Sequence, residues 1–390
     1  MFVYKHNPMM NMPNTKKTAE MLKKMELVVT IDTMPSDTVM YADVVLPEAT
    51  YLERTDPVKT FAGIEPSIAQ RNKVIDPMFE TKPVMEIMKG LTEKISKPLW
   101  EITKKFDEDV QDELADAVKP AKPAVVSTPT DSNSTAPAPT PAPVAPVKTA
   151  AEAEAELYEQ FDLTIPFKHS QEEVNEHMVK GIYGEEAVKA LHEHGVYYPD
   201  MENYYKPISV NEHQYYPENK KYYTVNGGKP KTRSKKVECT IGSLAKKGID
   251  PFPKWKDEYE FKVEEGKFRL LTGRHAQFTQ SGTANNAVLR DLIMENYVWI
   301  NRRVAEKKGI KFGDRVEVSS EVGSTQLKAY PTEKVAPHTV FFVHGFGEES
   351  EALTWAYRNG GNDNAVIKDV IEPVYGAASM HETNVEIRKV

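Results

Sequence analysis

An apolar run, Leu27-Val28-Val29-Thr30-Ile31, ends at Asp32. The carboxyl end of a buried strand is where open α/β sheets present groups to ligands. A carboxylate there accepts two parallel hydrogen bonds, the pattern that N1–H and N2–H of a guanine base would offer. An aspartate in this position also starts turns for local reasons, so spacing alone leaves both readings open. Asn7-Pro8, after the first predicted strand, is equally two-sided: an amide offered to a nucleotide, or a local Asn-Pro turn. A denser cluster is Leu271-Thr272-Gly273-Arg274-His275, followed by Thr279-Gln280-Ser281-Gly282 and Asn285-Asn286. Gly273 and Gly282 let backbone N–H groups approach a diphosphate, Arg274 supplies a charged fork, and the hydroxyls and amides can read a polar heterocycle. The competing reading is a polar strand-to-loop transition with a surface arginine. Gly360-Gly361-Asn362-Asp363-Asn364 and Met380-His381-Glu382-Thr383-Asn384 are turn-prone polar clusters that turns explain as well as ligand contacts do.

Other signals carry less. His6 with Met9, Met10 and Met12 has the donor types of a soft copper site, but methionine-rich turns are far commoner. Glu173, His177, His192 and His194 match no closed zinc spacing and read as a solvated helix face. Asn219 to Val237 holds seven basic residues beside Tyr222-Tyr223, superficially an RNA-binding stripe, yet Gly227-Gly228 marks a hairpin turn. Cys239 lies in an alternating run, Val237 to Ile241, and is read as a buried structural thiol. Lys308 to Val318 combines a helix end with a Gly-Asp turn into a strand, which is scaffold. No nucleophile or acid/base pair stands out.

The elements that must position these groups follow from periodicity. A strand at Phe2 to Lys5, a helix at Thr15 to Met25 and the strand ending at Asp32 form a β-α-β unit. Pro35-Ser36-Asp37 looks like a helix start with Ser36 as cap, and Asp43-Val44-Val45-Leu46-Pro47 like another buried strand, giving a doubly wound sheet. Pro120 to Pro146 is mostly Pro, Ala, Thr and Ser and lacks the apolar surface to offset ordering entropy, so a disordered linker or surface insertion is expected. From Glu152 to about Glu265 only Gly184 to His194 reads clearly, as a helix. The runs Lys267–Thr272, Tyr297–Ile300, Arg315–Ser319, Thr325–Tyr330, Thr339–Val343 and Val385–Val390 suggest a small β-barrel.

With 390 residues, the chain can bury more than one core. Fifty Lys and Arg against 58 Asp and Glu give a net charge of −8, which argues against nucleic acid and anionic lipid as default partners. The single cysteine excludes an internal disulfide and a cysteine-ligated iron–sulfur cluster within this chain. Met1 to Pro13 lacks a secretion-signal core, and no apolar run reaches the roughly 18 residues of a membrane span, so direct membrane insertion is not expected.

Val29 to Arg54 (VTIDTMPSDTVMYADVVLPEATYLER) and Leu270 to Val318 (LLTGR…WINRRVAEKKGIKFGDRVEVSS), taken in order, resemble the third and fourth domains of molybdopterin oxidoreductases of the dimethyl sulfoxide reductase family. YLERTDP, the Tyr223 to Glu238 hairpin and the ending ASMHETNVEIRKV are most similar to catalytic subunits of thiosulfate or polysulfide reductases. The resemblance covers roughly 1–118 and 215–390 and implies α/β plus β architecture, with a partial doubly wound guanine-binding domain at 1–118 and a double-psi β-barrel binding molybdopterin dinucleotide at 265–390; between them the Pro/Ala-rich linker, placed at 119–156, departs from the family pattern, and 157–264 is expected to be an irregular connecting segment. It implies a bis(molybdopterin guanine dinucleotide) cofactor holding molybdenum. Asp32 would accept the guanine, with Asn7 and Thr33 nearby. Thr272, Gly273, Arg274, His275, Thr279, Gln280 and Ser281 would line pterin and diphosphate, joined by Asn286, Asp363, Asn364 and Asn384. The family's iron–sulfur motif and molybdenum-ligating segment are absent from this chain and are expected in a missing N-terminal half of the catalytic subunit, without which the chain should not turn over substrate. An iron–sulfur electron-transfer subunit, a membrane anchor subunit, anaerobic respiration and a periplasmic location are further implications. A non-catalytic cradle subunit or remnant, or a formate dehydrogenase or nitrate reductase, are the alternatives.

Overall fold

The computed structural model describes residues 1–61, 66–117, 148–199, 205–207, 223–225, 238–252, 261–372 and 376–390. The chain opens with strand β1 (Phe2–Tyr4), a single turn α1 (Pro8–Asn11) and helix α2 (Thr15–Lys23). Asn14 caps α2 by accepting from Lys17 N at 3.2 Å, and Lys23 lies in its last turn, where a positive charge meets the negative end of the helix dipole. β2 (Val29–Asp32) and β3 (Val44–Pro47) follow, and the three strands pair in parallel in the order β1-β2-β3. Central β2 is buried as a parallel strand should be, with Val29 and Ile31 in the core.

β3 is not the buried strand its apolar run suggests: Val44 and Val45 are 42% and 47% exposed. Among the described residues it is an outer strand, bridged beyond its end by Glu48 to Lys82. Ser36 does not cap a helix either. The segment before β3 makes only a 3₁₀ turn at Val39–Tyr41, Ser36 is buried, and Asp37 is taken up by contacts to a distant loop.

A mixed region follows. β4 (Lys59–Phe61), β5 (Ser67–Ala69) and β6 (Val196–Tyr197) form an antiparallel sheet. Around it stand α3 (Val84–Phe106), α4 (Glu108–Ala117), α5 (Ala150–Phe161), α6 (Gln171–Tyr183) and α7 (Glu185–His194). α7 matches the helix read at Gly184 to His194. Residues 150–156, expected at the end of the linker, instead start α5, whose Thr149 and Glu152 form a reciprocal capping box; Ser170 and Glu173 do the same for α6. The expected irregular segment is therefore helical through His194, while the core of the Pro/Ala-rich stretch lies outside the described residues. Ile68, Val179, Ala187 and Leu191 bury this region's apolar face, and Trp100 packs against Tyr158 and Phe161.

β7 (Tyr205–Pro207) pairs with β8 (Tyr223–Val225); the Gly227-Gly228 turn and most of the basic stretch lie outside the described residues. Cys239 is exposed, not a buried thiol, because the chain bends at Cys239 and Thr240 just before the short helix α8 (Gly242–Ala245).

The last third is a barrel, as its alternating runs require. β9 (Phe268–Gly273), β10 (Tyr297–Asn301), β11 (Arg315–Ser319), β12 (Ser324–Thr332), β13 (Thr339–Val343) and β14 (Asn384–Lys389) close in the order β10-β12-β11-β14-β9-β13. β9 pairs with β13 and β10 with β12 in parallel; the other neighbours are antiparallel. Inward positions alternate along each strand and supply the core, Leu270, Val298, Ile300, Val316, Val318, Ala329, Val340 and Phe342 among them. Two short helices, α9 (Ala287–Leu292) and α10 (Arg302–Lys307), flank β10.

Candidate cofactor-binding site

Because β9 and β13 are parallel and in register through Gly273 and Val343, the loops that follow them leave the barrel on the same side. The first carries Gly273 to Asn286, the second His344 to Ser350. The loop after β2 meets both. Met34 packs on Ala284, Leu353 and Ala356. Asp37 accepts from Ser350 N at 2.8 Å and Glu349 N at 3.0 Å, and Ser350 Oγ donates to Pro35 O at 2.6 Å. Nearby, Asn364 Nδ2 donates to Met10 O at 2.6 Å, and Asn14 N donates to Ile367 O at 3.0 Å. The sheet's carboxyl edge and the barrel's open end thus share one seam.

Asp32 stands at the edge of that seam. Its Oδ1 accepts from Thr33 N at 2.7 Å and Met34 N at 3.3 Å, a local turn; its Oδ2 accepts nothing among the described residues. Burial raises its pKa, against the two N–H donors and the charge of Lys5. The local-turn reading of Asp32 is met by one oxygen, and the other has no donor among the described residues. The YLERTDP motif props this edge. Glu48 N donates to Asp32 O at 3.0 Å, Arg54 pairs with Glu48 at 2.8 Å and with Asp56 at 2.9 Å, and Tyr4 donates its hydroxyl to Glu48 at 2.9 Å. Burial raises the Glu48 pKa, although Lys5 and Arg54 oppose it.

Among the barrel residues, Arg274 is exposed and has no ion pair among the described residues, and Thr279 is exposed beside it in the same loop. Gly273 lies against Phe341, whose ring would be 2.9 Å from an added Cβ. Thr272 N donates to His381 Nδ1 at 3.3 Å. His275 is half-buried against Phe346, and desolvation lowers its pKa, which favours the neutral ring. Gln280 holds a left-handed backbone (φ 52°), and its Oε1 is buried without a partner; Ser281 follows it.

Other expected residues have scaffold partners. Asn286 caps α9, accepting from Leu289 N at 3.2 Å. Asp363 is fully buried and accepts from His344 at 2.8 and 3.0 Å. Asn384 donates to Lys262 O and Glu264 Oε1, away from the loop of Arg274. Asn7 accepts from Thr38 N and Oγ1 through its Oδ1, while its Nδ2 is left without a partner. Asn364 Oδ1 is likewise buried and unpartnered. Thr33 is exposed next to Asp32.

Several seam residues were not legible as site residues. Glu348 is buried with Oε2 unpartnered, and its pKa is pushed up to about 8, by burial first and then by Asp37, against Arg290. Arg290 donates to Ala284 O at 2.5 Å and Met294 O at 2.9 Å, lies over the Phe346 ring at 4.9 Å, and keeps Nη2 without a partner. Asn296 clamps the two loop exits, donating to Val343 O and Gly361 O and accepting from Gly361 N. The only sequence signal for Glu348 was an acid set among glycines, GFGEES. Met9 and Met10 are core, His192 pairs with Glu176, and no group of three or more His, Cys, Asp or Glu side chains that could hold a metal occurs among the described residues.

Buried groups without partners are costly unless a ligand or solvent satisfies them. Asn7 Nδ2, Ser36 Oγ, Gln280 Oε1, Asn364 Oδ1, Glu348 Oε2 and Arg290 Nη2 belong to residues of this seam, while others, Thr30 Oγ1 and Trp100 Nε1 among them, lie elsewhere. Mixed donors and acceptors of this kind, with the free Asp32 oxygen and the unpaired Arg274, fit a ligand that is a polar heterocycle carrying anionic groups.

Residues 1–94 match the Molybdopterin oxidoreductase family model and residues 268–384 the Molydopterin dinucleotide binding domain, together more than half of the chain. The chain is 24% identical over 393 aligned residues to the thiosulfate reductase molybdopterin-containing subunit PhsA of Salmonella typhimurium, covering 99% of this chain and 42% of that protein. It is 23% identical to a sulfite dehydrogenase subunit of Allochromatium vinosum, covering 94% of this chain and 39% of that one. It is 30% identical over 137 residues to an F420-dependent formate dehydrogenase alpha subunit of Methanococcus maripaludis, covering 35% of this chain and 18% of that one. The fold matches acetylene hydratase from Pelobacter acetylenicus at a TM-score of 0.64 and 18% identity, over 100% of this chain and 44% of that one. The chain therefore spans under half the length of these proteins. From the two matched segments, and from the sheet edge and barrel mouth they place against each other, the chain belongs to the molybdopterin oxidoreductase family.

Proposed function

We propose that the chain is the cofactor-binding portion of a bis(molybdopterin guanine dinucleotide) oxidoreductase that reduces thiosulfate or polysulfide when complete. The seam between the β2 loop and the β9 and β13 loops supports this reading, because it gathers unsatisfied polar atoms where a dinucleotide needs them. Asp32 Oδ2 would accept from the guanine edge, Arg274 would engage the diphosphate, and Gln280 and Ser281 would face the pterin. When bound, the molybdenum cofactor supplies the two-electron redox step. This chain's residues bind it, exclude water from it and fix its charge environment. The parallel pairs β9·β13 and β10·β12 support a double-psi form of barrel. The remaining part of the catalytic subunit, carrying an iron–sulfur cluster, together with a membrane anchor and an electron-transfer subunit in the periplasm, would complete the assembly.

Co-expression with that remaining part, followed by molybdenum and guanine analysis, tests the reading. Asp32→Ala is expected to lower both, since a guanine loses its paired acceptor at a cost of about 1–3 kcal/mol. Unchanged molybdenum and guanine content in that variant would refute the assignment. A formate dehydrogenase is the second reading, favoured by the 30% identity over 137 residues to a protein of that name; formate oxidation without thiosulfate reduction by the same complex would decide for it.

A further inference from the structure

Two buried carboxyl groups, Asp37 and Glu348, share the seam with one buried guanidinium, that of Arg290. Arg290 spends its Nε and Nη1 on Ala284 O and Met294 O, lies over the rings of Phe278 and Phe346, and has no partner for Nη2, so it forms an ion pair with neither acid. The two acids are served unequally. Asp37 accepts from Glu349 N and Ser350 N, donors that favour its ionised form, whereas Oε2 of Glu348, the residue just before them, is buried without a partner. A buried charge without donors costs more than a buried neutral carboxyl, so Glu348 is the acid that holds a proton while the seam is closed. Its raised pKa agrees: burial and then the Asp37 charge push it up, against Arg290. Other charged groups around it have partners of their own. Glu349 pairs with Arg358 at the surface. At the foot of the same loop burial works against the His344 charge, but Asp363 outweighs it and raises the pKa. His275 lies against Phe346, and burial lowers its pKa.

We propose that Glu348 is a proton-operated latch on this seam: while it keeps its proton the Asp37 clasp stays shut, and release of the proton accompanies opening of the clasp and of the dinucleotide cleft beside it. The part played by the cleft rests on the cofactor reading above. Asp37 and Pro35 tie the loop after β2 to Ser350, and Asp32 begins that same loop, so opening the clasp carries the candidate guanine acceptor away from the barrel. Arg290 cannot swing across to neutralise Glu348 without leaving the buried carbonyl of Ala284, which anchors the loop of Gln280. In the open form Glu348 returns to water and to ordinary carboxyl behaviour. Each opening therefore releases one proton, and the opening equilibrium rises by up to about tenfold per pH unit until the closed form ionises too.

Hydrogen exchange of the Glu349 and Ser350 amides, in the full chain made by a host unable to synthesise molybdopterin, reads the latch without cofactor. Corrected for the exchange of free amides, their opening should increase at least tenfold from about pH 6 to about pH 8, while the amides of β11 stay protected throughout. Glu348→Gln, neutral at every pH, should abolish the increase. Asp37→Asn, with one like charge gone, should make it level off at a lower pH. In the complex loaded with molybdenum and guanine, both should be lost faster at about pH 8 than at about pH 6, and equally fast at the two in Glu348→Gln. An increase that persists in Glu348→Gln would belong to another group such as His344 and overturn the latch. Exchange of Glu349 and Ser350 only together with β11, through unfolding of the whole barrel, would overturn it too, and pH-independent loss of bound cofactor would overturn its hold on the cleft. The exchange pattern expected of the latch, in a chain whose complex takes up no molybdenum, would support it and fail the cofactor reading instead.

Discussion

At the residue scale, the pair most open to test is Glu348 and Arg274. The Glu348 carboxyl titrates at about 8 in the fold against an ordinary value of 4.5, because burial and then Asp37 disfavour its charge. Between those values the folded chain holds a proton that the unfolded chain releases. Its stabilising share is therefore full at acid pH and is lost as pH rises through the folded value. Thermal stability of the chain is expected to fall from about pH 5 to about pH 8, and Glu348→Gln should flatten that slope. A slope unchanged by the substitution would show that Glu348 is not the group responsible. Arg274 has no ion pair among the described residues, so Arg274→Ala should leave unfolding unchanged. It should cost the assembled enzyme roughly tenfold in nucleotide retention, the size of a lost charge-assisted hydrogen bond. Equal retention after chromatography would remove it from the diphosphate. The positions of Asp32 at a strand end and of Arg274 in the loop after β9 were legible because strand ends and glycine-flanked loops announce themselves in sequence. Glu348, Arg290 and Asn296 were not, because their roles arise from neighbours distant in the chain, such as Val343 O for Asn296.

At the element scale, two loops owe their course to residues with little freedom. Gly345 has φ 85°, and a Cβ there would stand 2.9 Å from Gln280 C and Ser281 N. Gly345→Ala is therefore expected to displace the Gln280 loop and to cost about 1–3 kcal/mol from backbone conformation alone, read as a lower melting temperature. A melting temperature equal to that of the parent would mean the two loops are not locked together. Asn286→Ala should cost about 1 kcal/mol through loss of the α9 cap, whether or not a cofactor is present. A loss seen only in the loaded protein would instead make Asn286 a ligand contact. The barrel strands were readable because most alternate, as β11 does, and several meet a glycine turn, as β9 does at Gly273 and β13 does before Gly345. The helices from Ala150 to Tyr183 were not, since they bury little beyond Ala153, Asn175 and Val179 and so show a weak periodic stripe. β3 misled for the opposite reason: an apolar run states what a strand can bury, not whether anything covers it.

At the scale of the whole molecule, helices α4 and α5, which the Pro/Ala-rich stretch joins, pack against each other. Deleting Pro120 to Pro146 should then leave melting temperature and molybdenum content close to those of the parent; a large loss of either would make the stretch structural. The domain order was legible because two separated motifs occur in a fixed sequence, whereas the seam between them was not, since nothing local in Asp37 or Ser350 names the other. That seam joins residues 313 positions apart, Asp37 to Ser350, and 355 apart, Asn14 to Asp369. During synthesis the amino-terminal strands emerge long before the residues that close over them, and contacts of such long range form late. The cleft between sheet edge and barrel mouth is therefore sealed only when the final strands fold.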